Sequence, residues 1–344
     1  SLNHVSFNQP LLALLCVLND RSLPISIRCT TRFPEFRRLL TVALLYVAAV
    51  TAACSAVAYE TDQYLNRRHE VQDSIGLMDD YVNRRINKVV NEWQGHRDDR
   101  RLVVDIYRQM GSWYWVDKIE RWAMTDPAVE KFPQKHSDSI YSGSPVWATR
   151  VAFFFGIGRS IKVNGVILGT DKFGHFFSQG LKYYKREKRG VGAGSLFKRG
   201  ASVERWLFGL LTTGVYSNAD LVANYEGMLF YKGLLNNNIV KGKQALIGWD
   251  GDRPYMQRSF SWRDHINDYW DEALNPSHVV DSLEKHLVPE IEKLCGESPS
   301  SFVPGDDDRL WEQYNHIGLM DARHLRVDRV CAEAGESSFA ESLD

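Results

Sequence analysis

Between residues 60 and 94 the chain carries a recurring apolar set at Leu65, Val71, Ile75, Met78, Val82, Ile86, Val89 and Trp93. Most steps are threes and fours, so the spacing predicts a long amphipathic helix. The polar run "GHRDDRR" at 95–101 ends it. Beyond it, Val104, Tyr107 and Met110 and then Trp115, Ile119 and Trp122 predict a second helical stretch over 102–124, kinked or split at Gly111. Pro127 and Pro133 mark a loop that "SDSIYSGSP" at 137–145 prolongs.

The middle of the chain, 146–235, is its most apolar part. "VWATRVAFFFGIGRSI" reads as a buried helix, and Asn164-Gly165 in "KVNGVILGT" signals a turn leading into a short extended piece. A helix follows from Asp171, with Thr170 in an N-cap position. "KREKRGVGAGSLFKRG" at 185–200 is basic and glycine-rich, the composition of a solvated loop. Ser202 can cap a helix over 203–213, and another is predicted over about 218–235, stopped by "NNN". From 249 the chain is rich in Trp, Asp and Arg. Asn275-Pro276 closes that element, and 279–294 forms a short amphipathic helix. No repeat is visible. The expected fold is mainly α: a multi-helix globular domain with a central pair of packed helices and few short strands.

Composition adds limits. The 344 residues are 44% hydrophobic and 25% charged, enough for one large domain or two small ones. The formal net charge of −1 gives no electrostatic reason to expect nucleic acid as a partner. Near the start, Arg37 and Arg38 precede an apolar run that ends in Ala56-Val57-Ala58, the layout of a secretory signal with cleavage after Ala58. Two alternatives stay open: a membrane anchor over 39–58, close to the roughly 20 residues a span needs, or lipid attachment at Cys54. Each places 59–344 outside the cytoplasm, in the periplasm or at the envelope. Residues 1–36 read as an upstream extension or remnant and 37–58 as signal or anchor. After them come an N-terminal helical region at 59–135, a core at 146–235, a C-terminal helical region at 249–335 and a disordered tail at 336–344. Past the signal only Cys295 and Cys331 remain, which in an exported chain predicts a disulfide, against the alternative of two free thiols. No Cys/His zinc spacing occurs.

The candidate chemistry lies in two stretches. In "GTDKFGHFFSQG", Asp171 and His175 are four apart and share a helix face, and Gln179 and Lys182 continue it. In "SNADLVANYEG", Asp220, Asn224 and Gly227 share a face amid residues that want burial. An unpaired buried Asp or His is costly, so the two stripes are expected to meet, with Gly227 and Gly174 letting the backbones close in. Glu204 is a further carboxylate between them. A single His with carboxylates can hold a divalent ion such as Mg²⁺, Mn²⁺ or Fe²⁺, or serve as an acid/base pair, with Lys172 and Asn224 as binding groups. The same residues can also form a buried network that only fixes helix register. A second cluster, Asp264, His265, Asp268, Asp271 and Glu272, is expected to be a solvated acidic face with Trp262, Tyr269 and Trp270 packed inward. Asp250 and Asp252 are expected to make a turn. Nucleotide-loop, zinc-protease and serine-elbow motifs are absent.

"DKFGHF", then Glu204, then "SNADLVANYEG" resembles the VanZ-like group and a related DKxxH family of predicted periplasmic lipoproteins of unknown function. The matching positions are Asp171, Lys172, His175, Glu204, Asp220, Asn224 and Gly227, within 170–230. The resemblance implies an envelope protein, in a group linked to lipoglycopeptide tolerance, and no established reaction. Val203 stands where relatives often carry Lys or Gln. Two functions are therefore expected. The first is an envelope protein that binds a lipid or cell-wall component; the second is a metal-dependent or His/carboxylate hydrolase or transferase acting on a phospholipid or cell-wall precursor. For either, the expected partner is a membrane or another component of the cell envelope.

Overall fold

The computed structural model describes residues 60–112, 116–133, 135–145, 147–148, 156–203, 213–297 and 299–341. The signal-like run at 37–58, Cys54 and Glu204 lie outside the described residues.

Helix dominates, as the periodicities require. The long helix expected over 60–94 is two helices, α1 (Gln63–Asn66) and α2 (Ile75–Asn91). They separate because their apolar residues serve different cores. Leu65 packs against a smaller cluster that includes Tyr141, Leu283 and Leu287, whereas Met78, Val82 and Ile86 belong to the main core. Between them Asp73 acts as a clamp: Oδ1 accepts from the backbone N of Ile75 and Asn164, and Oδ2 from that of Gly165. Gly95 has φ +95° after α2, where the sequence predicts the break. Helices α3 (Asp99–Met110) and α4 (Lys118–Thr125) follow, divided at Gly111 as expected.

Strands β1 (Ser160–Val163) and β2 (Val166–Gly169) form an antiparallel hairpin. Asn164 and Gly165 have φ of 55° and 79°, the positive pair that a two-residue hairpin turn demands. The end of the helix expected from 146 is therefore strand, because Ile161 and Val163 must alternate with the turn. Thr170 caps no helix: the next one begins beside Asp171 without a side-chain cap.

That helix, α5, is one rod in three pieces: Lys172–Gly174, a π-helical turn His175–Gln179, and Gly180–Glu187. Helix α6 (Ala193–Val203) occupies part of the expected 185–200 loop, and the Ser202 hydroxyl donates to the Lys198 carbonyl; the helix expected over 203–213 lies almost wholly outside the described residues. Leu196 and Phe197 are buried and draw that segment onto the core. Strand β3 (Val215–Tyr216) leads into α7 (Asn218–Gly233), where Ser217 caps through the backbone N of Asp220.

The region from 249 departs from the expected helix. It holds a hairpin of β4 (Ile247–Asp250) and β5 (Arg253–Met256), then short 3₁₀ turns, then β6 (His278–Val279), which pairs with β3. Gly251 at φ +55° turns the β4–β5 hairpin, so Asp250 and Asp252 flank a turn as predicted. Helices α8 (Asp281–Glu292), α9 (Asp307–Tyr314) and α10 (Val327–Glu341) complete the described chain. The helix α10 corrects the expectation of a disordered tail from 336: it continues to Glu341, and Ala332, Glu333, Ala334 and Glu336 are good helix formers. Its base is tied by the Cys295–Cys331 disulfide, with Cα atoms 5.4 Å apart.

The central pair is α5 against α7. A Cβ on Gly227 would lie 1.9 Å from the Phe176 carbonyl oxygen, and one on Gly180 would lie 2.6 Å from the Gly227 backbone. Only two facing glycines allow that approach. Gly180, not Gly174, is the partner of Gly227; Gly174 faces Glu120 of α4, whose Oε2 would be 2.8 Å from an added Cβ. Tyr231 Oη donates to the Phe177 carbonyl at 2.9 Å, adding a polar tie across the seam.

Candidate functional site

Lys172 opens α5 and is buried inside the protein. Its ammonium lies 2.9 Å from Asp171 Oδ2, 2.7 Å from Asp220 Oδ1 and 2.8 Å from Glu272 Oε1. A buried ammonium is stable only with such partners. Burial alone would lower its pKa, but Asp171, Asp220 and Glu272 reverse that and hold it well above its ordinary value.

His175 stands one turn further along α5, across the seam from α7. Its Nδ1 is 3.1 Å from Asn224 Oδ1 and its Nε2 is 3.2 Å from Asp220 Oδ2. With the Asn224 carbonyl accepting from Nδ1–H, Nε2 faces a carboxylate. A cation, whether proton or metal, belongs between them. Burial pushes Asp220 up, yet His175 and Lys172 outweigh it and leave the carboxyl below its usual value, hence ionised.

Ligand atoms of Asp171, His175 and Asp220 all lie within 4.8 Å of one another. Asp171 Oδ1 is buried and accepts no hydrogen bond. It occupies space left by Gly169, where a Cβ would come within 2.3 Å of it. Among the described residues, three carboxylates thus surround one ammonium. Asp171 and His175 keep 13% and 16% of their side chains exposed, against 2% for Lys172, so the centre opens on the Asp171–His175 side.

A wider set of acids adjoins it. Glu272 Oε1 accepts from Ser217 at 3.0 Å, and Glu60 Oε1 accepts from Thr213 at 3.1 Å. Burial, with neighbouring carboxylates adding, raises both Glu60 and Glu272. On the α4 side Asp117 takes the Ser178 hydroxyl at 2.7 Å, and Glu120 sits against Gly174. Burial raises Asp117 to about 6 and Glu120 to about 9.

Of the residues predicted from sequence, Asp171, His175, Asp220 and Asn224 converge as expected, whereas Lys172, expected as a binding group, is buried and taken up by three carboxylates. The extended stripe does not. The π turn inserts extra length after His175, so Ser178 swings to Asp117 and Lys182 is exposed. The expected solvated acidic face is a correction. Trp262, Tyr269 and Trp270 are buried as predicted, but so are His265, Asp271 and Glu272. Glu272 joins the Lys172 centre, Asp271 takes Arg67 at 2.5 Å, Asp268 accepts from the Gly305 N at 2.8 Å, and Asp264 pairs with Lys243 and Arg258. The 3₁₀ turns there break the helical face that solvation required. His265 instead bonds Glu226 Oε2 at 3.1 Å, and Tyr314 Oη donates to Glu226 Oε1 at 2.7 Å. Beside that network is a cavity of about 190 Å³.

The residues that sequence reasoning missed are Glu60, Asp117, Glu120 and Glu226, and it places Glu272 on a solvated face. A usable signal existed for Glu272 and Glu226, since each is an acid amid residues that bury: "DYWDEAL" and "ANYEGMLF".

No family model matches the chain, and no curated protein or solved structure matches it.

Proposed function

We propose that the α5–α7 junction is a divalent-cation centre in an exported envelope protein, held by Asp171, His175 and Asp220. In this reading it serves a hydrolase or transferase acting on a phospholipid or cell-wall precursor. The observation that carries the proposal is the convergence of three ligand groups with His175 Nδ1 engaged by Asn224, which leaves Nε2 directed at the Asp220 carboxylate. A metal-bound histidine is held in the same way, its far nitrogen fixed by an acceptor. One imidazole with carboxylate oxygens suits Mg²⁺, Mn²⁺ or Fe²⁺ better than zinc. Lys172 balances charge beneath the ion, Asn224 fixes the imidazole tautomer, and Gly169 makes room for Asp171. A bound ion would polarise a phosphoryl or carbonyl oxygen and acidify a water. Export is supported by the signal-like 37–58 run and by the disulfide, which persists in oxidising compartments.

The enclosure of Lys172 by three carboxylates favours a second reading, an envelope protein that binds a lipid or cell-wall component without catalysis, in which the cluster only fixes the helix pair. Metal analysis of the purified full chain and calorimetric titration with Mn²⁺ separate the two. The cation reading expects one ion per chain, a rise in melting temperature that grows with free Mn²⁺, and loss of both in His175→Ala and Asp171→Asn. Absence of bound ion together with a melting temperature indifferent to Mn²⁺ selects the structural reading.

A further inference from the structure

We propose that the facing sides of α3 and α5, with the 190–192 tip, form a docking surface for an anionic phospholipid membrane. The two helices are pinned where Tyr107 Oη meets Ser178 Oγ at 3.1 Å. From Ser178, positions 182 and 185 follow at steps of four and three, so Lys182 and Lys185 continue that side of α5, and Arg189 follows in the turn just past its end. On α3, Arg108 adjoins Tyr107 and Arg100 lies two turns back. The stripes meet: Lys185 is pushed below its ordinary pKa by partial burial and then by the charges of Arg100, Arg189 and Arg108.

Acids do not cancel this seam. Asp105 takes Arg108 at 2.8 Å and also Arg101, Asp99 takes Arg97, and Glu187 takes Lys232 at 2.9 Å. Among the described residues, Arg100, Lys185, Arg186, Lys188 and Arg189 have no carboxylate within ion-pair distance. Like charges held together without counter-ions favour binding of a surface that supplies many anions at once.

The apex identifies which surface. Past Arg189, Gly190 turns at φ +81° and Val191 projects with 36% of its area exposed, followed by Gly192. An apolar side chain at the tip of a cationic ridge matches a headgroup layer over an acyl boundary, and a soluble phosphate has no use for it. The surface is separate from the α5–α7 centre and does not depend on a metal there.

The test is sedimentation of the full chain with phosphatidylcholine vesicles, with and without phosphatidylglycerol, at low and high salt. Phosphatidylglycerol should increase the bound fraction, and high salt should remove the increase. Each basic residue near such a surface accounts for about a five-fold change in affinity, so Arg100→Ala/Lys185→Ala/Arg189→Ala together should weaken the phosphatidylglycerol-dependent part roughly 100-fold. Val191→Asp should also weaken it, and both variants should melt close to the parent, because Arg100, Arg189 and Val191 are exposed and the half-buried Lys185 makes no ion pair among the described residues. Equal uptake by the two vesicle types overturns the proposal, as does a triple variant that keeps the preference. Tighter binding to an RNA oligonucleotide than to the vesicles at the same salt also overturns it.

Discussion

Replacing Gly227 by alanine sets two effects against each other. In a helix interior the change normally stabilises by about 1 kcal/mol, because alanine loses less backbone entropy. Here the new Cβ would meet the Phe176 carbonyl oxygen at 1.9 Å, and ordinary contact begins at 3.4 Å. The difference, 3.4 − 1.9 = 1.5 Å, must come from parting α5 and α7, since the obstacle is backbone and has no rotamer to change. The same seam carries His175 to Asp220 at 3.2 Å and His175 to Asn224 at 3.1 Å. Opening it by that amount breaks both. Overpacking costs about 1–3 kcal/mol, and each buried polar group left alone costs about 1–3 kcal/mol more. The net loss is roughly 2–8 kcal/mol after the helix gain, a fall in melting temperature of roughly 4–30 °C for a unit of this size. Circular dichroism melting measures it, with Gly76→Ala as control. Gly76 lies in α2 with nothing within 4 Å of an added Cβ, so that variant should melt at or slightly above the parent. If Gly227→Ala also melts at or above the parent, the close approach of α5 and α7 is wrong.

Lys172→Met should prevent folding at neutral pH, because it leaves three buried carboxylates without their cation, a loss of about 3–5 kcal/mol. Mild acid should restore part of the signal by protonating them, and no recovery at pH 5 would contradict the charge argument. Glu120 gives a pH dependence of definite sign: its folded pKa of about 9 lies above the ordinary 4.5. The stability it contributes is therefore complete below pH 4.5 and declines as pH rises toward 9, so melting should fall across that window and fall less in Glu120→Gln. Reducing the Cys295–Cys331 bond, which spans 36 positions, should cost about 3–4 kcal/mol by chain entropy. Thiol titration of the denatured, unreduced protein should find neither of these cysteines free, and melting with and without reductant checks the magnitude.

The helix pair was legible because each partner carried one polar stripe in apolar surroundings, and burial leaves such a stripe only the other stripe to bond. Asn164-Gly165 was legible because positive φ at both positions admits few residues. The split between α1 and α2 was not, since period alone cannot tell which of two cores a residue faces. Nor was the π turn at His175–Gln179, whose residues have no distinctive composition; it redirected Ser178 and took Lys182 off the expected face. Glu272 was hidden for a related reason. Its neighbours in sequence suggested a helix, and only its place 100 residues away, beside Lys172, shows why a buried acid is tolerable there.

The Lys172 centre gathers residues that are far apart along the chain: Thr61 reaches Glu272 across 211 positions, and Lys172 and Asp220 fall between. A polypeptide made from its N-terminus therefore carries an unmatched lysine and several unmatched acids for most of its synthesis. It cannot close the centre until residue 272 has emerged. The disulfide at 331 can form only later still. Fragments ending before 272 would lack one wall of the charge cluster, so early termination should yield substrates for quality-control proteases and no partly working protein.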